Sequence, residues 1–393
     1  MPKQSSFSAV DSLTGYLYQV RYALLDALKR VKDDVRFSVS IETLDDIVFE
    51  SDGQPVELLQ AKHHSKPANL TDTSTDLWKT IRIWVEQYKT GVNSRYYLVT
   101  TATAKDDTVA SYLRVDGNSD IKRVVSVLDA VAQTSTNKTN ADGYKEYLSL
   151  NSKEKDDLFS RVVILDAAPK ILDLDKELRR EVFHAVEIKY LDSFITRLEG
   201  WWYRRAIQHL SKDNQNPILV EEIIAEETSL REQFKQDNLV IDEDILLATV
   251  DESIYQNRVF VQQLKLINVK DRRIFFAIKD YFRAFEQRSR WIREELLQVG
   301  ELDLYETRLT EEWEIRFEQL RDQLGDETAD QEMCRLAKEL YSWVENGPLQ
   351  PIRPQVNEPS MARGSYHILS DNLVVGWHPE FKRRLVELIG IGG

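Results

Sequence analysis

Asp46, Gln60 and Lys62 flank a stretch with the pattern of a β-hairpin. Ile47-Val48-Phe49 is apolar, Ser51-Asp52-Gly53-Gln54 supplies turn chemistry, and Val56–Lys62 returns with apolar and polar residues mixed. With the turn centred near Gly53, Asp46 falls opposite Gln60. Gln60 and Lys62, two apart on a strand, point the same way. A carboxylate, an amide oxygen and an ammonium then meet at one end of the hairpin, with Glu42 four residues before Asp46. Moving the turn by half a residue would undo the pairing. Asp45 adjoins Asp46, and strand alternation turns only one of the two toward a shared ligand. Carboxylate and amide oxygens are hard ligands suited to Mg²⁺ (or Mn²⁺), which takes few protein ligands and keeps several waters. A lysine beside such an ion can position a water or stabilise charge growing on a phosphate. Together these groups would hydrolyse a phosphodiester.

Asp46 and Gln60-Ala61-Lys62 resemble the motif of the PD-(D/E)XK nuclease superfamily, in the variant with Gln in place of the acid before x-Lys, as in Mrr-type restriction enzymes. The order Gly15-Tyr16-Leu17-Tyr18-Gln19, Ile41-Glu42-x-x-Asp45-Asp46, Gln60-x-Lys62 is similar to double-stranded DNA endonuclease effectors of bacterial anti-phage systems. These are the CD-NTase-associated endonucleases and the nuclease subunits of Lamassu and other ABC-three-component systems. The resemblance implies a metal-dependent double-stranded DNA endonuclease with Lys62, Asp46, Gln60 and Glu42 as catalytic residues. Asp46, Gln60 and Glu42 would hold the metal. Gln19 takes the place from which the first helix lends a polar side chain to the site, with Tyr18 and Asp45 as auxiliaries. The implied partners are an SMC-like ATPase and a small accessory subunit. Because an unregulated nuclease is toxic to its host, homo-oligomerisation on activation is expected as well. The alternative is a non-catalytic scaffolding or adaptor subunit of the same complex.

The elements around the hairpin fit an α/β domain. Residues 8–31 recur with apolar side chains at helical spacing, capped by Ser12 or Thr14, and Gly15 would let this helix approach a sheet. Residues 36–41 alternate as a strand. Residues 69–78 are rich in cap residues and open a helix running to about Lys89, whose Lys79 and Arg82 could touch phosphate. His63 and His64, facing opposite ways, cannot easily ligate one metal together, and surface or DNA-backbone contact suits them better than catalysis. Residues 95–103 and 161–166 read as strands, and residues 104–160 as an insertion or lid of helices and polar loops. The expected fold is thus a restriction-endonuclease-like domain over 1–212, a mixed sheet flanked by helices. A helix over 190–210 carries Trp201 and Trp202, and the polar run Ser211–Pro217 serves as linker. A mainly α-helical, partner-binding domain over 213–393 follows. There the aromatics of 271–285 are spaced for a buried helix face.

The tail has a Pro-rich connector, 348–359, then a strand-like segment with a turn and a helix from Glu380. Gly364-Ser-Tyr-His367 and Gly376-Trp-His-Pro379 resemble the C-terminal domains of ABC-three-component proteins, implying attachment to the ATPase complex. His367, His378 and Asp371 fit no usual zinc spacing, and Cys334 lies far from them in sequence.

Composition bounds the rest. The 393 residues carry 52 basic and 66 acidic side chains, a net charge of −14. That balance argues against a protein that coats DNA unaided. Residues 1–90 hold 11 basic and 13 acidic side chains, so the excess acid lies mostly beyond the hairpin. One cysteine excludes an internal disulfide and suits the cytoplasm, and neither a signal peptide nor a membrane span is expected. There is no GxxxxGK[ST], so an ATPase would be a separate polypeptide. GxGxxG after a strand and GxSxG are absent too.

Overall fold

The structure, a computed structural model, describes residues 6–115, 120–211, 216–325 and 328–389. The chain divides into two compact units, residues 1–229 and 230–393.

The first unit is mixed α/β. A six-stranded sheet runs β7-β5-β3-β2-β1-β8, built from β1 (Phe37–Ile41), β2 (Ile47–Ser51), β3 (Gln54–Lys62), β5 (Arg95–Thr100), β7 (Val162–Leu165) and β8 (Ile218–Leu219). Two short strands, β4 (Asn69–Leu70) and β6 (Thr103–Ala104), pair separately. β1, β2 and β3 form an antiparallel meander, and β3, β5 and β7 run parallel. Helix α1 (Ser6–Arg30) packs on β1 and β3. Helix α2 (Thr75–Lys89) buries Leu77, Trp78, Ile81, Trp84 and Val85 in one core with Val48, Leu58, Tyr96 and Leu98 of the sheet.

The hairpin forms, but by a route the turn alone does not reveal. Ser51 pairs with Gln54, a two-residue Asp52-Gly53 turn with both central residues at positive φ. Continued without interruption, that register would set Asp46 against Leu59, whose side chain points to the other face. A bulge intervenes. Glu50 pairs with Pro55 but Phe49 pairs with Glu57, leaving Val56 as the extra residue, and from there Ile47 pairs with Leu59. The pairing beyond the bulge brings Gln60 opposite Asp46. Deleting Val56 should therefore close the bulge and leave Phe49 opposite Glu57 and Gln60 opposite Asp46, so divalent-ion binding measured by calorimetry should survive the deletion.

Ser12 and Thr14 lie inside α1 rather than capping it, and the Thr14 hydroxyl donates to Val10 O at 2.8 Å. A Cβ on Gly15 would meet nothing within 4 Å, so this glycine mediates no close approach. Residues 104–160 are no lid. Their helices share the α2 core: Tyr144 and Tyr147 stack edge-on against Trp78, and Gly143 sits where a Cβ would fall 2.6 Å from Trp78 O. The expected linker overlaps residues 212–215, outside the described residues. Just after it, Ile218 and Leu219 add a strand to β1, so the sheet draws on residues beyond that stretch. Of the paired tryptophans, Trp202 is core, its indole N–H donating to Val20 O at 2.7 Å.

The second unit is helical, with Val259–Leu266, Asp271–Arg293, Glu301–Arg321, Asp330–Asn346, Pro359–Asp371 and Phe381–Ile389 as its main helices. The segment expected to be strand-like is the helix Pro359–Asp371, started by Glu358 as N-cap and Pro359 in the first turn. Its small residues explain the change. Gly364 crosses Asp271–Arg293 so closely that a Cβ would lie 2.0 Å from Asp280 O. Gly364→Ala should therefore cost about 2 kcal/mol or more of stability, read from chemical denaturation. The aromatic face of 271–285 is only partly buried: Tyr281 is inside, while Phe276 and Phe285 are exposed. The Pro-rich connector is anchored, because buried Arg353 donates to Glu301 Oε1 at 2.7 Å and to Asn238 O at 2.7 Å.

Candidate active site

The parity that sends Leu58 into the core beneath α2 puts Gln60 and Lys62 on that same face. Lys62 ends β3 opposite Thr100 at the end of β5, so the site sits at the carboxyl ends of parallel strands. Asp46 comes from the bend between β1 and β2. Glu42 opens that bend at φ +52°, its N–H donating to Asp46 O at 3.1 Å. Gln87 of α2 holds the bend from outside, donating to Leu44 O at 3.0 Å.

Asp46, Gln60 and Lys62 converge. Gln60 Nε2 donates to Asp46 Oδ1 at 3.2 Å, and Lys62 Nζ donates to Asp46 Oδ2 at 3.3 Å and to Gln60 Oε1 at 2.7 Å. The Ala61 N–H donates to Asp46 Oδ2 at 2.8 Å, fixing the carboxylate from the backbone. Alternation does not separate the two aspartates as the sequence suggested, because a bend and not a strand carries them. Asp45 also accepts from Gln60 Nε2, and from the Asp46 N–H at 2.9 Å.

The electrostatics are those of crowded acids. Burial pushes the Asp45 carboxyl up to about 7, against the lowering effect of its hydrogen bonds. Its Oδ2 is buried with no hydrogen-bond partner. Glu42 is also raised, by burial first and then by the Asp46 charge. Three acids are answered here by Lys62, and the neighbouring donor atoms are oxygens. A hard divalent cation fits this set. Asp46 and Glu42 would hold it with Gln60, whose amide now gives its oxygen to Lys62. Reversing that amide would present the oxygen to the carboxylate side.

A cleft of about 540 Å³ opens over the cluster, lined by Gln19, Glu42, Asp46, Lys62, His63, His64, Asp76 and Lys79 along with Ser12, Gly15 and Tyr16 of α1. Gln19 is almost fully buried, its Oε1 without a partner. Tyr18 lies behind the cleft, wholly buried, with its ring 5.0 Å from that of His63. Burial drives its phenol well above the ordinary range. Both histidines border the cleft with their rings turned opposite ways, His63 toward Tyr18 of α1 and His64 toward Asp76 of α2. Arg82 stands apart from the lining, within 3.6 Å of Glu86 and 3.9 Å of Asp142. Sequence reasoning missed Asp76, which arrives in the first turn of α2 and binds His64. The run Thr71–Asp76 was legible only as cap chemistry.

Among the described residues, one set of three His, Cys, Asp or Glu has its ligand atoms all within 4.8 Å, and it lies in the second unit: Asp330, Cys334 and His378. The fold thus brings together residues that sequence distance kept apart, while Asp371 instead pairs with Arg258. Its chemistry suits a donor histidine. The Glu380 N–H donates to His378 Nδ1 at 3.1 Å, which leaves the proton of the neutral ring on Nε2, and Arg384 occupies Asp330. A metal-bound imidazole needs the reverse polarity.

Residues 260–385 match a known family, C-terminal domain 7 of the ABC-three component (ABC-3C) systems. This places the chain among the components of those systems, as the Gly364 and Gly376 motifs implied. No curated protein matches the chain. Among solved structures, the Moraxella osloensis Cap4 SAVED/CARF-domain containing receptor is similar at 13% identity and a TM-score of 0.33, over 70% of this chain and 68% of that one.

Proposed function

We propose that the chain is the nuclease subunit of its ABC-three component system, a Mg²⁺- or Mn²⁺-dependent endonuclease acting on double-stranded DNA in anti-phage defence. The observation that carries this reading is the convergence of Asp46, Gln60 and Lys62, through a bulged hairpin, at the floor of an open cleft. The divalent ion, when bound, would polarise the phosphate and lower the pKa of a water. The chain's own residues do the rest. Lys62, held between Asp46 and Gln60, stands where an ammonium can align the attacking water or meet charge on the phosphate. Ala61 N–H fixes Asp46. Gln19, buried with a free oxygen, can orient a water at the cleft wall. Lys79 supplies a phosphate contact at the rim.

The second unit supports a subunit that docks onto protein partners, an SMC-like ATPase and an accessory chain, through the matched domain. Supercoiled plasmid incubated with the purified chain and Mg²⁺ or Mn²⁺ should be nicked or linearised, and EDTA should stop it. Should the chain prove silent alone, the reading requires activity in the assembled complex. Calorimetry separates it from a scaffold, which need not bind Mg²⁺: no heat of binding together with no cutting by the complex ends the proposal.

A further inference from the structure

The two histidines of the cleft differ in their surroundings. His63 lies behind Lys62: its ring faces buried Tyr18, and its Nε2 accepts from Ile171 N–H at 3.4 Å. Those contacts hold a wall in place. His64 is placed otherwise. Its backbone is tied to β5's end, the N–H donating to Thr101 Oγ1 at 2.8 Å, and its side chain is about one third exposed within the cleft. Nε2 lies 2.7 Å from Asp76 Oδ2. An ionised carboxylate only accepts, so Nε2 carries a proton in either charge state of the ring, and Nδ1 is the nitrogen left to exchange one. A carboxylate that fixes the tautomer and steadies the imidazolium is the arrangement acid–base catalysis requires. The charged neighbours across the cleft are Glu42, Asp46, Lys62, Asp76 and Lys79.

We infer that His64, positioned by Asp76, is the general acid for the leaving oxygen of the phosphodiester, an inference that rests on the nuclease reading. In that step the water oxygen bonds to phosphorus and its proton passes to solvent. The bond from phosphorus to the leaving oxygen breaks with its electron pair on oxygen, and the imidazolium gives that oxygen its Nδ1 proton. Solvent then reprotonates the ring. Lys62 and His64 thereby divide the work, one on the attacking side and one on the departing side of the same phosphate.

The test uses full-length wild type, His64→Ala and His64→Gln on plasmid DNA, with DNA binding followed separately. His64→Ala should cut about 10²- to 10⁴-fold more slowly. The loss of cutting should far exceed any loss of DNA binding, and added imidazole should restore cutting. His64→Gln should be equally slow. Loss that imidazole does not restore, or that matches a loss of DNA binding, marks a phosphate contact and overturns the inference while leaving the nuclease reading intact. Independently of cutting, ¹⁵N-histidine spectra should show Nε2 protonated at His64, and Asp76→Asn should weaken that preference. A ring protonated at Nδ1 alone in wild type also overturns it. Wild type that never cuts DNA, alone or in complex, removes the nuclease reading and this inference with it.

Discussion

Lys62→Ala should reduce DNA cutting by at least about a hundredfold while leaving the fold in place. The two halves of this expectation have different physical sources. The loss of activity follows from position: the ammonium lies 3.3 Å from Asp46 Oδ2 and 2.7 Å from Gln60 Oε1, inside the cluster that would hold the ion. The retained fold follows from exposure. Lys62 is one quarter exposed, and Asp46 keeps its bonds to Ala61 N–H and Gln60 Nε2 when the ammonium goes. A pair of this kind contributes about 1 kcal/mol or less to stability, so thermal unfolding should move by only a few degrees. Supercoiled-plasmid digestion and a circular-dichroism melt on the same two preparations measure both. Equal cutting by the variant and wild type would end the assignment of Lys62. Lys62→Arg should also be impaired, since a planar fork cannot take the place of a compact ammonium between a carboxylate and an amide.

Much of this site was legible because hairpin chemistry is local. A turn of Asp52-Gly53 between apolar runs announces itself, and the two-residue period carries Gln60 and Lys62 to one face whatever lies around them. The bulge was not legible. Nothing in Glu50–Glu57 beyond Pro55, which has no N–H to give a ladder, distinguishes a bulged strand from a regular one, yet the bulging of Val56 decides whether Asp46 meets an amide or a leucine. A turn centred on Gly53 would set Gln60 opposite Asp46, but the register that keeps them there depends on the bulge. Asp76 escaped for a related reason: its approach to His64 depends on where α2 begins relative to β3, a tertiary relation that a cap motif does not contain.

The second unit shows the opposite failure. Around Tyr366 the side chains alternate loosely enough to pass for a strand, and only the demand for close helix crossing at Gly364 settles the matter in favour of a helix. The residues 104–160 were misjudged because Tyr144 and Tyr147 have no local sign of the tryptophan they cover. In both places contact with a distant element outweighed local pattern. The hairpin turn and the motif order were readable. Which helices shared a core was not.

Asp45→Asn should stabilise the chain at neutral pH and remove a pH dependence that wild type shows. The group's ordinary pKa is 3.8 and in the fold it is about 7. Between those values the folded chain holds a proton that the unfolded chain has released, so stability falls as pH rises through this window and levels off above it. Three pKa units correspond to roughly 4 kcal/mol at the alkaline end. Asparagine keeps an oxygen to accept from Gln60 Nε2 and the Asp46 N–H, so the variant loses the charge and not the bonds. The difference in unfolding free energy between variant and wild type, measured from pH 4 to pH 8, should therefore grow with pH and flatten above about 7. A flat difference would mean that Asp45 ionises as an exposed aspartate does. The same proton links Asp45 to the metal: a cation settling beside the cluster should expel it, so Mg²⁺ binding to wild type should release protons at pH 6 and far fewer at pH 8.5. In Asp45→Asn that release should be absent at both, which would separate a buried acid that tunes the site from one that merely lies beneath it.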